Sequence, residues 1–280
     1  MTGSEILAEA TKKLVDAGIP DAGRDARRLL AHVLKVPMGR LTLFLPEDVD
    51  PELTVIYRVL IERRTERVPV SHLTGRRMFY GRDFIVSKDV LDPRPETETL
   101  IETALAAPFG RVLDLGTGSG CILLTLLLEN ETAEGVGADL SSDALNVAYW
   151  NSNALGLEPR STLLAGSWYE ALGPDEQYFD LIVSNPPYIA LSEMFGLEPE
   201  VRDHEPRMAL TDGSDGLSAY RVITAGAPHH LLEGGRLIVE IGPTQGRAVS
   251  EMMRTVGFNN VQITCDLDGR DRVVQGVWAG

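Results

Sequence analysis

Residues 111–120 read Arg-Val-Leu-Asp-Leu-Gly-Thr-Gly-Ser-Gly, and this segment indicates the fold class of the chain. Its first five residues predict a short buried strand, and the apolar run from Cys121 to Leu128 predicts a helix directly after the glycines. Glycines at such a turn permit a left-handed backbone and let a ligand approach the main chain closely. The stretch therefore predicts the first strand–loop–helix unit of an α/β domain, with a binding site at the turn.

The same alternation of strands and helices continues to the end of the chain. Helices are predicted over residues 142–153 and about 245–256. The predicted strands cover residues 135–139, 161–164, 179–184, 235–241 and the regions near 260–265 and 272–278. Strands that alternate with helices indicate a parallel sheet with helices on both faces.

The residues around the glycine loop favour an adenosyl ligand without a pyrophosphate. Asp139 ends the second strand, at the distance from the glycines where a carboxylate can accept hydrogen bonds from ribose hydroxyls. The glycines are spaced G-x-G-x-G, unlike the G-x-G-x-x-G of dinucleotide-binding proteins, and the loop lacks a P-loop lysine. S-adenosylmethionine fits these features, whereas an NAD site and a glycine turn that serves only packing are the alternatives.

Each part of S-adenosylmethionine has a candidate partner in this region. Its carboxylate would use the loop and the start of the next helix, and its ammonium would use Asp114 or a neighbouring carbonyl. Trp168, after the third strand, would flank the adenine or belong to the core. The predicted cofactor contacts are Asp114, Gly116, Thr117, Gly118, Gly120, Asp139, Trp168 and Asn185.

The motif Asn185-Pro186-Pro187-Tyr188 directly follows the predicted strand 179–184. Proline fixes φ and donates no backbone hydrogen bond, and it pushes the preceding residue toward an extended conformation. We expect the side-chain oxygen of Asn185 and the Pro186 carbonyl to form a set of acceptors that suits a planar –NH2 group, with Tyr188 as a flat wall. The alternative is an ordinary turn, because Asn-Pro pairs often begin turns.

Residues 1 to about 70 predict a small helical bundle. Apolar residues recur at helical spacing over residues 6–15 and 26–34, and again at Leu53, Ile56, Val59, Leu60 and Ile61 after a proline at position 51. Shorter alternating stretches with glycines over residues 71–92 predict a hairpin. A stiff turn over residues 92–98 and a helix to about Leu105 follow.

Composition restricts the class of protein. The chain has 280 residues, is 44% hydrophobic and carries a net charge of −15, so a general nucleic-acid binder is disfavoured. We interpret a local basic cluster (Arg63, Arg64 and Arg67, with Arg76 and Arg77) as a solvated face. The apolar stretches are shorter than a membrane span of about 20 residues. Two cysteines and five histidines in no ligand pattern predict a reducing cytosol and no metal site.

With the glycine loop, Asp139 and residues 185–188 in hand, the chain resembles the PrmC/HemK protein-(glutamine-N5) methyltransferases, which modify class I peptide-chain release factors. The resemblance covers nearly the whole chain. Other segments that resemble this family are Arg94–Glu98, Glu205–Pro206, Asp215–Leu217, Glu240–Gly242 and Gln245. Two residues depart from its usual pattern: Ser167 stands where many relatives carry an acid, and Asp92 where an apolar residue is more usual.

The resemblance implies a Rossmann-like, seven-stranded methyltransferase domain over residues 93–280, a β-hairpin linker over 71–92 and a helical domain over 1–70 that docks the substrate. It implies S-adenosylmethionine as methyl donor, S-adenosylhomocysteine as product, and the glutamine of a Gly-Gly-Gln motif as target. Asn185, Pro186 and Tyr188 would act in catalysis, and Asn185, Pro186, Pro187 and Tyr188 would contact the substrate. No stable binding to nucleic acid or membrane is expected.

Two other functions compete with this prediction. Adenine-N6 methyltransferases of nucleic acid share the Asn-Pro-Pro-Tyr motif, although the acidic charge and the lack of an added base-recognition domain argue against that function. A non-catalytic adaptor would have no need of both an intact motif and an intact cofactor loop. The segment Glu96-Thr97-Glu98 has two interpretations, a helix cap or part of the cofactor pocket.

Overall fold

The computed structural model describes residues 1–173 and 178–280. Its internal contacts divide the chain into two units, residues 1–76 with 198–204, and residues 77–197 with 205–280. The boundaries predicted at residues 70 and 92 stay a prediction. In the part of the chain that the structure describes, no helix has both the length and the apolar character needed to cross a membrane.

The first unit is helical, as its apolar periodicity predicts. Thr2 and Glu5 begin the first helix with a reciprocal capping box, in which each side chain accepts from the backbone amide of the other residue. Asp50 caps the fourth helix, and Pro51 occupies its first position. The helices are α1 (Gly3–Asp16), α2 (Ala22–Leu34), α3 (Leu41–Phe44), α4 (Pro51–Thr65), α5 (Val70–Thr74) and, from the later segment, α9 (Pro199–His204).

The predicted apolar face of α4 is confirmed in part. Ile61 is buried and Leu53 and Leu60 pack partly buried against the core of this unit, whereas Ile56 and Val59 are about half exposed, at 51% and 53%. The buried stripe of the helix includes Tyr57 together with Ile61. Both stripes have helical spacing, so periodicity alone could not separate them. Tyr57 selects the face because it buries a large ring, and its hydroxyl donates to the carbonyl of Ala26 on α2, at 3.0 Å.

Arg64 contradicts the interpretation of the basic cluster as a solvated face. Its side chain is only 7% exposed and lies on the buried side of α4. The guanidinium donates to Asp25 at 2.8 Å and to Glu200 at 3.0 Å, and Arg67 also donates to Glu200, at 3.2 Å. A buried charge of this kind must be paired, so α2, α4 and α9 are joined by these contacts.

We expect Arg64→Ala to lower the free energy of unfolding by about 3–5 kcal/mol, because it leaves the buried Asp25 carboxylate without its cation. Urea unfolding followed by circular dichroism measures the change. Arg58→Ala, also on α4, is the matched control. It breaks an exposed ion pair with Glu9 of α1 and should lower the free energy of unfolding by less than about 1 kcal/mol. Equal losses in the two variants would contradict the role of Arg64.

The second unit contains a seven-stranded sheet and a separate two-stranded hairpin. The hairpin consists of β1 (Arg76–Phe79) and β2 (Arg82–Ile85), joined by Tyr80 and Gly81, both with positive φ. The sheet consists of β3 (Arg111–Leu115), β4 (Glu134–Asp139), β5 (Ser161–Ala165), β6 (Phe179–Ser184), β7 (Leu231–Glu240), β8 (Phe258–Cys265) and β9 (Asp271–Trp278). This sheet confirms the predicted Rossmann-like class.

The order of the strands is β5-β4-β3-β6-β7-β9-β8. The first five in this order are parallel, and β9 enters antiparallel to both β7 and β8. The chain therefore winds outward from β3 in one direction through β4 and β5, and in the other direction from β6 through β7. The reversal between β3 and β6 opens a crevice at the carboxyl ends of these two strands.

Helices cover both faces of the sheet. The helices of this unit are α6 (Glu98–Leu105), α7 (Cys121–Glu129), α8 (Ser142–Leu155), α10 (Arg207–Leu210), α11 (Ser218–Gly226) and α12 (Gly246–Thr255). One core cluster joins Val112 and Val183 to apolar residues of α6 and α7, and the other joins Leu113 and Ile182 to Tyr220 and other residues of α11 and α12. Neighbouring residues of a strand thus point to opposite cores, which is why apolar residues occupy consecutive positions in β3 and β6.

The helices α10 and α11 were not predicted. Residues 205–217 contain glycine, proline and aspartate, which favoured a region of turns. The signal for α11 was present, because Ala219, Tyr220 and Ile223 share one helix face and are buried. A helix at this point also completes the strand–helix–strand connection that parallel β6 and β7 require.

Candidate active site

A cavity of about 380 Å³ lies at the carboxyl ends of the parallel strands. The residues that directly follow four of these strands line it, and they are Gly116–Ser119 after β3, Asp139–Ser141 at β4, Gly166–Trp168 after β5, and Asn185 with Pro187 after β6. This volume is in the range of small-molecule sites, roughly 300–1,000 Å³. The cavity occupies the crevice at which ligands bind in open α/β sheets.

The structure brings most of the predicted site residues to this cavity. Those that line it are Gly116, Thr117, Gly118, Asp139, Trp168, Asn185 and Pro187. Among the described residues, four predicted ones do not belong to the lining: Asp114, Gly120, Pro186 and Tyr188. Three of the four are buried, and Tyr188 is partly buried.

The glycine loop has the left-handed backbone that its sequence predicts. Gly116 and Gly118 have φ of 72° and 57°. A methyl group added at Gly118 would meet nothing within 4 Å, and one at Gly116 would meet only the Trp168 ring at 3.8 Å. Their backbone therefore faces open space, so a ligand can approach the main chain here.

The amides of this loop are largely used inside the protein. Gly116 and Thr117 donate to the carbonyl of Ala138 at 2.8 and 3.0 Å, and Gly118 donates to Asp139 at 2.8 Å. The first amides of a helix have no partner within the helix. An anionic ligand group would thus be bound chiefly by the start of α7, next to the loop.

Asp139 is held by two backbone amides. Its oxygens accept from Gly118 and Ser141 at 2.8 and 2.9 Å. Burial raises the pKa of Asp139, and these backbone hydrogen bonds oppose the rise. The two amides fix the direction of the carboxylate at the edge of the cavity, where its other lone pairs can accept from a ligand.

Asp114 lies beneath the loop. It accepts from the Thr117 hydroxyl at 2.7 Å and from the Leu123 amide at 3.3 Å, so it joins the loop to α7. Its other oxygen has no partner among the described residues. Burial raises the pKa of Asp114 to about 7. The arrangement favours a supporting role below the loop over direct contact with a ligand.

Asn185 stands at the corner where β6 ends. Just before it, the Ser184 hydroxyl donates to the carbonyl of Leu115 at 2.7 Å, which ties β6 to β3 at the edge of the crevice. The Asn185 amide nitrogen contacts the Thr97 hydroxyl at 3.4 Å. With its nitrogen directed to Thr97, the side-chain oxygen of Asn185 is the atom left for a substrate.

Gln245 fixes the far end of the proline corner. Its amide nitrogen donates to the carbonyls of Tyr188 and Gly216, at 2.9 and 3.1 Å. The Tyr188 ring packs on the core cluster that contains α11 and α12, so it belongs to the base of the site and not to the lining of the described cavity. A methyl group at Gly216 would lie 2.4 Å from the Tyr188 carbonyl, so the close approach requires glycine there.

Comparison with known proteins identifies the family of this site. The profile of the PrmC N-terminal domain matches residues 5–75, and that of the methyltransferase small domain matches residues 78–195. The release factor glutamine methyltransferase of Cereibacter sphaeroides is 51% identical over 98% of this chain and 98% of its own length. The release factor glutamine methyltransferase of Caulobacter vibrioides is 44% identical, over 96% and 93%. The chain belongs to the release factor glutamine methyltransferase family.

Solved structures show the same fold. A methyltransferase from Pyrococcus furiosus superposes with a TM-score of 0.57 at 15% identity, covering 78% of this chain and all of the other. Such a likeness supports the methyltransferase fold alone.

In this family member, three parts of the cavity wall are not among the predicted site residues. They are Asp89–Leu91 after the hairpin, the apolar Leu140, which is 64% exposed beside Asp139, and a wall that includes Pro206, Met208 and Thr211. Leu140 could have been found, because it directly follows the predicted ribose acid. The other two parts come from segments distant in sequence, and only the fold brings them to the cavity.

A buried asparagine that the sequence did not single out supports the glycine loop. Asn151 of α8 donates to the carbonyls of Ser119 and Ile85, both at 2.9 Å, and accepts from the Ile85 amide at 2.7 Å. Its side chain thereby joins the loop after β3 to the end of the hairpin strand β2. The three bonds satisfy an amide that is only 2% exposed.

The charged groups around the cavity are mostly acidic. Asp89, Asp139 and Asp212 line it, and among the described residues of the lining only Arg94 is basic. Arg94 donates to both oxygens of the buried Glu205, at 2.7 and 2.8 Å, so its charge is paired. The described residues contain no cluster of three or more His, Cys, Asp or Glu that could hold a metal ion.

The raised pKa of Asp114 predicts that stability depends on pH. An unfolded aspartate titrates at about 3.9, so the folded protein binds one more proton between about pH 4 and about pH 7. The free energy of unfolding must therefore fall as pH rises through this window. Asp114→Asn should make this fall of the unfolding free energy with pH less steep, by up to about 1.4 kcal/mol per pH unit.

Urea unfolding at several pH values between about 5 and about 7 measures this slope. Asp16→Asn, which changes an exposed carboxylate at the end of α1, is the control and should leave the slope unchanged. If Asp114→Asn also left it unchanged, the protonated state of the buried carboxyl would be excluded.

Proposed function

We propose that this protein transfers a methyl group from S-adenosylmethionine to the side-chain amide nitrogen of the glutamine in the Gly-Gly-Gln motif of class I release factors. The observation that carries the proposal is the position of Asn185. Its amide stands at the wall of the same cavity that Gly118 and Asp139 line, in a chain of the release factor glutamine methyltransferase family.

The cavity suits the proposed cofactor. We assign the ribose to Asp139, whose two bonded amides fix its carboxylate. The adenine would lie between Leu140 and Trp168, and the amino-acid end would lie along the glycine loop at the start of α7. Bound there, S-adenosylmethionine supplies an activated methyl group on a sulfonium.

The proline corner would supply the hydrogen-bond acceptors. The nitrogen of a carboxamide is a weak nucleophile because its lone pair is conjugated with the carbonyl. We assign to the Asn185 oxygen and the Pro186 carbonyl the role of accepting from the glutamine –NH2 group. They would stabilise the positive charge that develops on nitrogen, just as the donors of an oxyanion hole stabilise a developing negative charge. Tyr188 would support this corner from the base of the site.

Surroundings of the cavity favour a protein substrate over nucleic acid. Phosphate-bearing substrates need a basic approach, whereas the charged lining is mostly acidic and Arg94 is already paired with Glu205. A cytosolic location accords with the two free cysteines.

The direct test incubates the protein with labelled methyl donor, purified release factors and duplex DNA, and maps the label by mass spectrometry. Label on the glutamine of the Gly-Gly-Gln motif is expected. Label on adenine, with none on the release factors, would overturn the proposal in favour of a nucleic-acid methyltransferase.

Asn185→Ala should lower kcat by about 10²–10³, in line with the loss of one preorganised polar contact in the transition state. Binding of the cofactor should persist, because Asp139 and the loop remain. Steady-state methylation of a release factor gives kcat, and calorimetry gives the cofactor affinity. Asn153→Ala, an exposed position on α8, is the control. Near-normal turnover of Asn185→Ala would remove Asn185 from the mechanism.

Asp139→Ala should weaken cofactor binding by about 1.5–3 kcal/mol, the range for a hydrogen bond to a charged group. Isothermal calorimetry with S-adenosylmethionine or its product measures the loss. The matched control is Asp143→Ala, an exposed acid in the first turn of α8. Equal affinity of Asp139→Ala and the wild type would contradict the assignment of the ribose.

A further inference from the structure

Trp168 has an unfavourable backbone conformation beside the cavity. Its φ is 50°, in the left-handed region, where the Cβ of an L-residue crowds the following carbonyl. Five described residues other than glycine have positive φ, and among them only Trp168 lines the cavity. The indole lies beside the glycine loop, because a methyl group at Gly116 would lie 3.8 Å from the Trp168 ring. Such strain persists only where the neighbouring structure enforces it.

Tyr169, the next residue, is fixed by three contacts. Its hydroxyl donates to the carbonyl of Ile223 on α11, at 2.8 Å. Its ring stacks on His230, with the ring centroids 4.7 Å apart and the two planes 3° from parallel. The ring also lies so close to Gly226 that a methyl group there would be 2.4 Å from two of its carbons. These contacts join the turn after β5 to the end of α11 and to the residue before β7.

We propose that Tyr169 is a positioning residue that holds the Trp168 indole against the adenine of the cofactor. This inference rests on the proposed function, which assigns the adenine to the space between Leu140 and Trp168. Tyr169 does not belong to the described lining of the cavity, so it acts through its neighbour.

The turn that carries both aromatic residues is tight. A methyl group at Gly166 would lie 2.6 Å from the Cα atom of Ala171, and the Glu170 amide donates to the carbonyl of Ser167 at 3.0 Å. A turn this compact has little room to absorb a change of φ at one residue. A change at Trp168 must therefore move the side chain that follows it.

The anchored ring of Tyr169 opposes that movement. If the backbone of Trp168 relaxed to negative φ, the chain after it would turn and the Tyr169 ring would have to leave its three contacts. The folded protein therefore holds the strained conformation before the cofactor arrives. A cavity that is already in its binding conformation needs no binding free energy to turn the indole.

Three substitutions act on the anchor and leave the cavity lining unchanged. Tyr169→Phe removes only the hydroxyl, Tyr169→Leu also removes the aromatic stack, and Gly226→Ala pushes the ring away from α11. Gly226 has φ of −82°, which suits alanine, so only the ring opposes the added methyl group. Tyr57→Phe is the matched control, because Tyr57 is a buried tyrosine of α4 whose hydroxyl also donates to a backbone carbonyl, that of Ala26.

Isothermal calorimetry with S-adenosylmethionine measures the effect on the cofactor. Affinity should fall roughly tenfold in Tyr169→Leu and Gly226→Ala, since binding must then restore one left-handed residue. It should fall roughly three- to tenfold in Tyr169→Phe, the equivalent of one hydrogen bond, and stay at the wild-type value in Tyr57→Phe. In steady-state methylation of a release factor, the KM for the cofactor should rise in the Tyr169 variants, while kcat at saturating cofactor stays near that of the wild type.

A second readout needs neither cofactor nor substrate. The part of the tryptophan fluorescence that disappears in Trp168→Phe belongs to Trp168. In the cofactor-free protein, acrylamide should quench this part more strongly in Tyr169→Leu and Gly226→Ala than in the wild type, because a released indole is more exposed to water. Quenching in Tyr57→Phe should match that of the wild type.

The measurements distinguish failure of the inference from failure of the proposed function. A wild type that methylates release factors, combined with unchanged cofactor affinity in Tyr169→Phe and Gly226→Ala, overturns the inference alone, even if Tyr169→Leu does not fold. Equal loss of affinity in Tyr57→Phe and Tyr169→Phe reduces the effect to general stability and also overturns it. A wild type that binds the cofactor but methylates no release factor rejects the proposed function, while affinity and quenching still decide whether Tyr169 positions the indole. A wild type that binds no S-adenosylmethionine overturns both.

Discussion

The pairing of β3 with β6 is the constraint on which the site depends. These two strands are parallel neighbours, yet the chain winds away from them in opposite directions. The loops after β3 and β6 therefore diverge and leave a crevice between them. The cofactor loop and Asn185 are nearly 70 positions apart in sequence and share one cavity because of this single reversal. The Ser184 hydroxyl, which donates to the Leu115 carbonyl at 2.7 Å, ties the two strands at that edge.

Buried polar contacts hold the edges of the crevice in place. Asp114 lies under the glycine loop, and Asn151 bonds the loop from α8. Glu240 and Gln245 approach the proline corner from the end of β7 and the start of α12. Burial of two carboxyls with raised pKa values lowers stability near neutral pH. Such a loss of stability is expected at functional sites, where the geometry of the site is maintained at the expense of the stability of the fold.

The order of the elements could be predicted because the signals of the sheet are local. Three apolar residues among the five before Gly116, and an acid at the end of the next strand, define β3 and β4 without any knowledge of the fold. The face of α4 was wrong at Ile56 and Val59 because two stripes have the same period, and the choice between them depends on contacts of Tyr57 and Arg64 with α2. Periodicity carries no information about such partners, and it also treats a buried arginine as a surface residue.

The site was predictable to the extent that its residues stand directly after strands. Gly118, Asp139 and Asn185 have that property, and all three line the cavity. The individual residues Met208 and Thr211 were not predicted, since this wall enters from a long connection whose path is fixed only by packing. Asp114 shows a different limit. Its type and spacing suggested a ligand contact, which stays a prediction, whereas its bonds to Thr117 and Leu123 depend on how the loop and α7 fold over it.

The chemistry explains why so much structure supports one asparagine. A carboxamide nitrogen becomes reactive only as its conjugation with the carbonyl is lost, and acceptors that are already in place can stabilise the charge that then appears. Two prolines restrict the backbone of this corner, but they do not restrict rotation of the Asn185 amide about its own bond. Control of that rotation must come from outside the motif, and Thr97, whose hydroxyl accepts from the Asn185 amide nitrogen at 3.4 Å, is a buried group beside it. Because adenine presents the same kind of –NH2 group, the corner alone cannot choose between substrates. Under the proposed function, the acidic lining, which disfavours a phosphate backbone, would supply that discrimination.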